Sequence, residues 1–268
     1  MTDTSTQFDS HVLAERYDQT STSQFENGVQ LVQALGIRRG DRILDVGCGT
    51  GRLIEHLLTT FGDAVDLVGL DPSPYRITIA RQKVAASPTV TFLRGSDRDL
   101  QIFSDCSFDC VYLNAVFHHI QSIEAKAAAL VHIQRILKPG GRLGISDPDK
   151  EVPGLFREIT KEVVESHGLH YADENLVSRT SMRSLLVSSG FDILRLDQIT
   201  KTRSYPTPQA ALAFSEASNF GKYLSDVPED LREQIKSEIG ERLRAFATET
   251  GIEHSLGRIF VIARKKAQ

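Results

Sequence analysis

Cysteine is scarce in this chain of 268 residues: Cys48, Cys106 and Cys110 are its only three. So few thiols exclude a disulfide framework and fit a reducing compartment. Charge of one sign is missing too. With 31 Lys and Arg against 35 Asp and Glu, the net charge is −4, and nothing in bulk draws the chain to nucleic acid or to an anionic membrane. No apolar run approaches the ~20 residues that a membrane span needs. The first residues, MTDTSTQFDSHVLAERYDQ, are polar and acidic, unlike a signal or transit peptide. No internal repeat of a solenoid or propeller is visible. A soluble, cytoplasmic, globular protein is expected, since 40% hydrophobic residues suffice for a core.

What is present is an alternation of short apolar runs with helical spacing. Strands are expected at 42–46, 66–71, 89–93, 108–113, 142–146, 191–199 and 257–264. Helices are expected at 52–58, 75–86, 123–137, 155–167, 180–190, 207–218 and 229–248. Such alternation implies a parallel sheet covered by helices on both faces. The helical insert between the last two strands reads as a cap over that domain. Residues 200–256 look too thin for a core of their own.

Asp45-Val-Gly47-Cys48-Gly49-Thr-Gly51 lies between the first strand and the first helix. Glycines there let the backbone turn sharply and approach a ligand, and bare N–H groups at a helix start suit a polar or anionic group. Taken alone, the loop is equally a tight turn without a ligand. Asp71 ends the second strand, 20 residues after Gly51. A carboxylate in that place accepts from both hydroxyls of a ribose, or else caps the helix that begins near Pro74. Loop and acid together point to a nucleoside-containing cofactor. A dehydrogenase needs G-x-G-x-x-G, whereas this chain has G-x-G-x-G and no recognisable hydride-transfer site.

Four segments carry a resemblance: ILDVGCGTG (43–51), VGLDPSP (68–74), SFDCVYLNAVFHHI (107–120) and ILKPGGRLGISDP (136–148). In order and spacing they resemble the class I S-adenosylmethionine-dependent methyltransferases, over residues 15–265. The layout of the carboxy-terminal half, with SYPTPQAALAF (204–214), is similar to the small-molecule members typified by trans-aconitate methyltransferases. The resemblance implies a Rossmann-like three-layer α/β/α sandwich. Its sheet would have seven strands, mostly parallel, with an antiparallel last strand and a helical lid. It divides a single domain into an N-terminal helical cap (1–40), a cofactor-binding core (41–148) and an acceptor-side lid (149–180 and 200–256).

The resemblance further implies S-adenosylmethionine as cofactor. Gly47, Cys48 and Gly49 would present backbone to it, Asp45 would lie near its methionine portion and Asp71 would bind its ribose. Asp97 and the N–H of Arg98 would meet the adenine, although the acid of Gly95-Ser96-Asp97 sits one place later than in the family. Asn114 would stand where the family meets the methionine amino group. Tyr17 and Gln24 would belong to a helix across the cofactor mouth.

His118 and His119 directly follow the fourth strand, at the carboxyl edge where open α/β sheets bind ligands. Either suits a general base at neutral pH, His119 being preferred, or the pair packs the corner. A base is needed for a hydroxyl acceptor and not for a carboxylate. The spacing of Cys106 and Cys110 with the two histidines matches zinc poorly, and no metal is expected. The loop Asn114-Ala-Val-Phe117 is not the N/D-P-P-Y/F of DNA amino-methylating enzymes, and no Pro-Cys nucleophile is present. The expected partner is therefore a small organic acceptor, methylated on hydroxyl or carboxyl oxygen, with no nucleic acid and no membrane. The rival readings are a protein or nucleic-acid methyltransferase and a cofactor-binding relative without catalysis. Phe156, His167, His170, Tyr171, Tyr205, Phe214, Phe220 and Tyr223 fall in the expected lid, as acceptor contacts or as its packing.

Overall fold

The computed structural model describes residues 9–84, 87–171 and 175–266. Two helices, α1 (His11–Thr20) and α2 (Thr22–Ala34), precede β1 (Arg42–Val46). Then come α3 (Arg52–Phe61), β2 (Asp66–Asp71), α4 (Pro74–Lys83), β3 (Val90–Arg94), β4 (Phe108–Asn114), α5 (Ile123–Ile136) and β5 (Leu137–Pro148). The second half holds α6 (Leu155–Ser166), α7 (Arg179–Ser188), β6 (Phe191–Tyr205), α8 (Pro208–Ser218), α9 (Glu229–Arg244), β7 (Ala247–Thr248) and β8 (Gly251–Lys265). Helix starts follow the hydroxyl caps of the sequence: Ser10, Ser73, Ser122, Ser178 and Thr207 each accept a backbone N–H of the first turn.

The strands form one sheet in the order β3-β2-β1-β4-β5-β8-β6. All neighbours from β3 to β5 are parallel, and β8 runs antiparallel to both β5 and β6. This is the expected sheet with one addition. The two-residue β7 pairs with the start of β8, making eight strands where seven were expected. The central strands are buried nearly throughout, which is why they read as continuous apolar runs. One apolar cluster joins this sheet to α5 and α7, and a second joins it to α2, α3 and α4. Among the described residues no helix is long and apolar enough to cross a membrane.

Boundaries differ where long-range pairing overrides local signals. β5 starts at Leu137, before Pro139-Gly-Gly, because Leu137 pairs with Phe108; the register then jumps to Cys110 opposite Arg142. The fourth helix ends at Lys83, and residues 85 and 86 of the expected span lie outside the described residues. So do 1–8 of the expected cap and 172–174 of the expected lid. α9 ends at Arg244, since Ala247 and Thr248 turn into the ladder with β8.

The largest difference is the reach of β6 and β8. β8 pairs with β5 only from Arg258 to Arg264, whereas its ladder with β6 continues to Tyr205 opposite Ile252. The two strands thus project past the carboxyl edge of the parallel sheet as a two-stranded arm. That arm carries α8 and α9 and meets α6. Between them lies a third apolar cluster, including Val163, Phe214, Leu224, Ile235, Ile239 and Ile252. Residues 200–256 thus share an apolar core with α6. The core exists because α6, from the other insert, supplies one wall.

Candidate active site

The sheet's strand order reverses between β1 and β4, and a ligand crevice belongs outside the carboxyl ends of strands at such a point. A cavity of about 460 Å³ opens there, roofed by the lid. A recess of about 40 Å³ adjoins it, and Tyr17, Gln24, Gly47 and Asn114 line both. The larger volume is of small-molecule size.

The glycine loop makes the floor. Gly47 has φ +77°, and a Cβ on it would lie 2.3 Å from Val116 Cγ2. Only glycine allows the loop to pass beneath that side chain. The N–H groups of the loop turn inward: Gly47 and Cys48 donate to the Leu70 carbonyl at 2.7 and 3.1 Å, and Gly49 donates to Asp71 Oδ2 at 2.9 Å. Gly49 lines neither cavity, while Gly47 and Cys48 line the recess. The loop therefore offers surface without Cβ and spends these donors on β2 and Asp71, not on a ligand.

Asp71 is buried at the end of β2. Its Oδ1 accepts the Ser73 N–H at 2.9 Å, leaving lone pairs on both oxygens toward further donors. Burial pushes its pKa up, opposed by the Arg76 guanidinium and by the Ser73 and Gly49 N–H groups. Asp45 is the other buried acid. Its Oδ2 accepts the Tyr112 hydroxyl at 2.9 Å, and desolvation pushes its pKa to about 8, against the Tyr112 bond and with help from Asp71. Beside it, Asn114 donates to the Gln24 carbonyl at 2.8 Å. Among the described residues, Asn114 Oδ1 and Gln24 Oε1 are buried without a partner.

The first two helices are fastened over this floor. Asp18 accepts from Thr50 Oγ1 and pairs with Lys83, and Arg52 stacks 4.5 Å over Phe25. Tyr17 thereby faces the cavity, its phenol pushed up chiefly by burial. Arg76, missed in the sequence reading, lies 4.1 Å from the Tyr17 ring and 3.7 Å from the Phe220 ring. It also donates to the Ala217 carbonyl at 2.7 Å. One buried guanidinium thus joins the amino-terminal cap, the core and the lid. Asp97 and Arg98 line the larger cavity in the short 3-10 turn after β3, where Ser96 accepts the Arg98 N–H and Asp99 accepts the Ser96 N–H.

Both histidines after β4 line the cavity in a 3-10 turn, 4.1 Å apart between ring centres. Their surroundings differ. His118 Nδ1 lies 2.9 Å from Asp147 Oδ1, and Asp147 is fully buried at the end of β5. His119 packs against His118 and Phe220, and burial holds it well below the ordinary histidine range. Asp147 also faces Arg258, which donates to Ser146 Oγ and to the Ser146 carbonyl. Among the described residues no three His, Cys, Asp or Glu side chains converge as metal ligands. Of the expected lid residues, His167 pairs with Glu238 and lines no part of the cavity, whereas His170, Tyr171, Tyr205 and Phe220 do.

Residues 43–141 match the model of a methyltransferase domain. The O-methyltransferase rstn1 of Aspergillus nomiae is 30% identical over 183 residues, which span 65% of this chain and 74% of that protein. The chain belongs to the class I S-adenosylmethionine-dependent methyltransferases. The O-methyltransferase resE of Aspergillus sclerotiorum is 27% identical over 236 residues, spanning 84% of this chain and 76% of the other. The YcgJ protein of Bacillus subtilis shares the fold at a TM-score of 0.60 and 18% identity, over 91% of this chain and 99% of that one.

The cofactor of this methyltransferase is S-adenosylmethionine, and the recess has the chemistry for its charged end. An ammonium brings donors and no acceptor. The Asp45 carboxyl and the stranded oxygens of Asn114 and Gln24 are acceptors without enough donors. A cation placed there satisfies all three.

Proposed function

We propose that this methyltransferase acts on a small organic acceptor, at an oxygen whose proton is removed by His118. The observation that carries this reading is the 2.9 Å contact between Nδ1 of His118, which lines the cavity, and the buried Asp147. A carboxylate only accepts, so Nδ1 carries the proton and Nε2 is left as the basic nitrogen. Asp147 fixes the ring and stabilises the imidazolium that forms when Nε2 takes a hydroxyl proton. His119, preferred on sequence grounds, has no carboxylate partner among the described residues and is held neutral by burial, so it serves as packing behind His118.

Asp45, Gln24 and Asn114 hold the methionine end, Asp71 the ribose hydroxyls, and Asp97 the adenine, the Arg98 N–H being taken by Ser96 Oγ. Gly47 and Cys48 form the surface beneath, Gly49 secures Asp71 from behind, and Tyr17 covers the mouth. When bound, the cofactor supplies an activated methyl group, whose carbon–sulfur bond breaks with its electron pair left on sulfur as the acceptor oxygen bonds to carbon. The protein's work is alignment and exclusion of water. Residues 41–148 make the cofactor half. The segments 149–180 and 200–256 make the acceptor half, with the arm of β6 and β8 as its frame. The O-methyltransferase relatives support oxygen as the acceptor atom.

The test is transfer of label from S-adenosylmethionine to a panel of hydroxyl acceptors. With an acceptor that turns over, His118→Ala lowers kcat by about 100-fold or more with cofactor affinity unchanged, as loss of a general base does. An unchanged kcat rejects the base.

A further inference from the structure

The cavity lining is cationic although the protein as a whole is acidic. Among its lining residues six cations (Arg76, Arg98, Arg157, Arg203, Lys222 and Arg258) face three carboxylates (Asp71, Asp97 and Asp226). Two of these cations already have work. Arg76 is stacked beside Asp71, and Arg258 is spent on Ser146 and faces Asp147. Arg203 differs. It stands on the projecting end of β6, its guanidinium 4.5 Å over the Phe214 ring, with NH1 donating to the Tyr205 hydroxyl at 3.1 Å. Among the described residues no ion pair joins it to a carboxylate.

A guanidinium has five donors in a planar fork that fits a carboxylate with two parallel bonds. In the open cavity water satisfies what the Tyr205 hydroxyl does not. An acceptor that fills the cavity displaces that water. If the acceptor were neutral and apolar, the charge would be covered without a partner, which is costly. An acceptor bearing an anion removes the cost. The walls around Arg203 are aromatic: the Tyr205 ring lies 6.5 Å from that of Phe156 and 5.9 Å from that of Phe214, centre to centre. Flat aromatic walls suit a flat ring.

We propose that the acceptor is an aromatic hydroxy acid, its carboxylate held by Arg203, its ring among Phe156, Tyr205 and Phe214, and its hydroxyl turned to His118. This rests on the methyltransferase reading above and adds the substrate class. The carboxylate is the anchor and the hydroxyl the methylated group, so the product is a methyl ether that keeps its acid. The hydroxyl proton goes to His118, and the oxygen uses the pair it retains to bond the methyl carbon.

The experiment uses the full chain saturated with S-adenosylhomocysteine and three probes: 4-hydroxybenzoate, 4-hydroxyphenylacetate and 4-hydroxycinnamate, each beside its carboxamide. Calorimetry should show at least one acid binding tenfold or more tighter than its amide. Arg203→Gln should bring that acid down to the amide, leaving amide and S-adenosylhomocysteine affinities unchanged, and Arg203→Lys should restore part of the difference. With S-adenosylmethionine, mass analysis should find the methyl group on the phenolic oxygen. Equal affinity of every acid and its amide, no binding of any probe, or a methyl ester as product overturns the proposal. Binding of S-adenosylhomocysteine with methyl transfer to neutral phenols only removes the Arg203 assignment and leaves the methyltransferase reading standing. Failure to bind S-adenosylhomocysteine at all removes the site reading as well. The wild-type comparison of acid with amide holds even if a variant fails to fold.

Discussion

The two walls of the cavity are built by different means. The floor, from β1 to β4, is made of a glycine loop and two buried acids, Asp45 and Asp71, fixed by hydrogen bonds that never leave the core. The lid wall is made of large side chains on the arm of β6 and β8, on α6 and on α8, with arginines among aromatic rings. The floor is set by backbone and by position in a parallel sheet. The lid is set by which rings happen to meet. A binding floor of the first kind serves one cofactor, and a lid of the second kind changes acceptor by exchanging side chains. Arg76 is the place where the two meet, clamped between Tyr17 of the cap and Phe220 of the lid.

The strongest blow to the floor is Asp71→Ala. It removes the acceptor expected for both ribose hydroxyls and unties the Gly49 and Ser73 N–H groups. Charge-assisted bonds of this sort are worth about 1.5–3 kcal/mol each. Cofactor affinity should fall about a hundredfold or more in calorimetry, with far-ultraviolet circular dichroism unchanged. Unaltered affinity would show that the floor does not bind through this acid.

A second effect separates the walls by pH. The Asp45 carboxyl, pushed up to about 8, keeps its proton at neutral pH in the empty protein. An ammonium docked beside it favours the charged form, so binding at pH 7 should release roughly one proton. Calorimetry in buffers of different ionisation heat measures that release, and Asp45→Asn should abolish it. The sign for stability follows. A carboxyl raised in the folded state adds stability below its unfolded pKa, and that contribution is lost as pH rises from about 4 to about 8. The empty Asp45→Asn protein should therefore gain stability relative to wild type across that window. A release near zero would mean the carboxyl is already ionised.

The smallest expected effect lies at the junction. Phe220 holds a left-handed backbone, φ +55°, while its ring stacks on Arg76 and meets His119. Phe220→Ala removes one cation–π contact, about 1 kcal/mol, or roughly fivefold in cofactor affinity. Both cofactor affinity and acceptor KM should move, since the residue belongs to both walls. A change in KM alone would make Phe220 a lid residue only.

The floor was legible because its signals are local. Gly47, Gly49 and Gly51 with Asp45, and Asp71 at the end of the next strand, lie in two short segments, and a strand–turn–helix unit sets their places. Even so, local reading assigned the loop's N–H groups to a ligand, and pairing with Leu70 and Asp71 claims them instead. Nothing local joins Asp147, at the end of β5, to His118, 29 residues away. Arg76 reads as an ordinary helix residue until Tyr17 and Phe220 close on it from either side.

The sequence by itself determined the parallel sheet, its glycine turn, the acids at the strand ends and the family to which they belong, because each is written in a run of a few residues with a fixed period. Tertiary structure alone decided the lid wall. β6 and β8 extend past the sheet because Tyr205 and Ile252, 47 positions apart, pair with each other. The lid has a core because α6 arrives from a separate segment to complete it. Such contacts depend on chain ends brought together by folding, and no local pattern of residues encodes them.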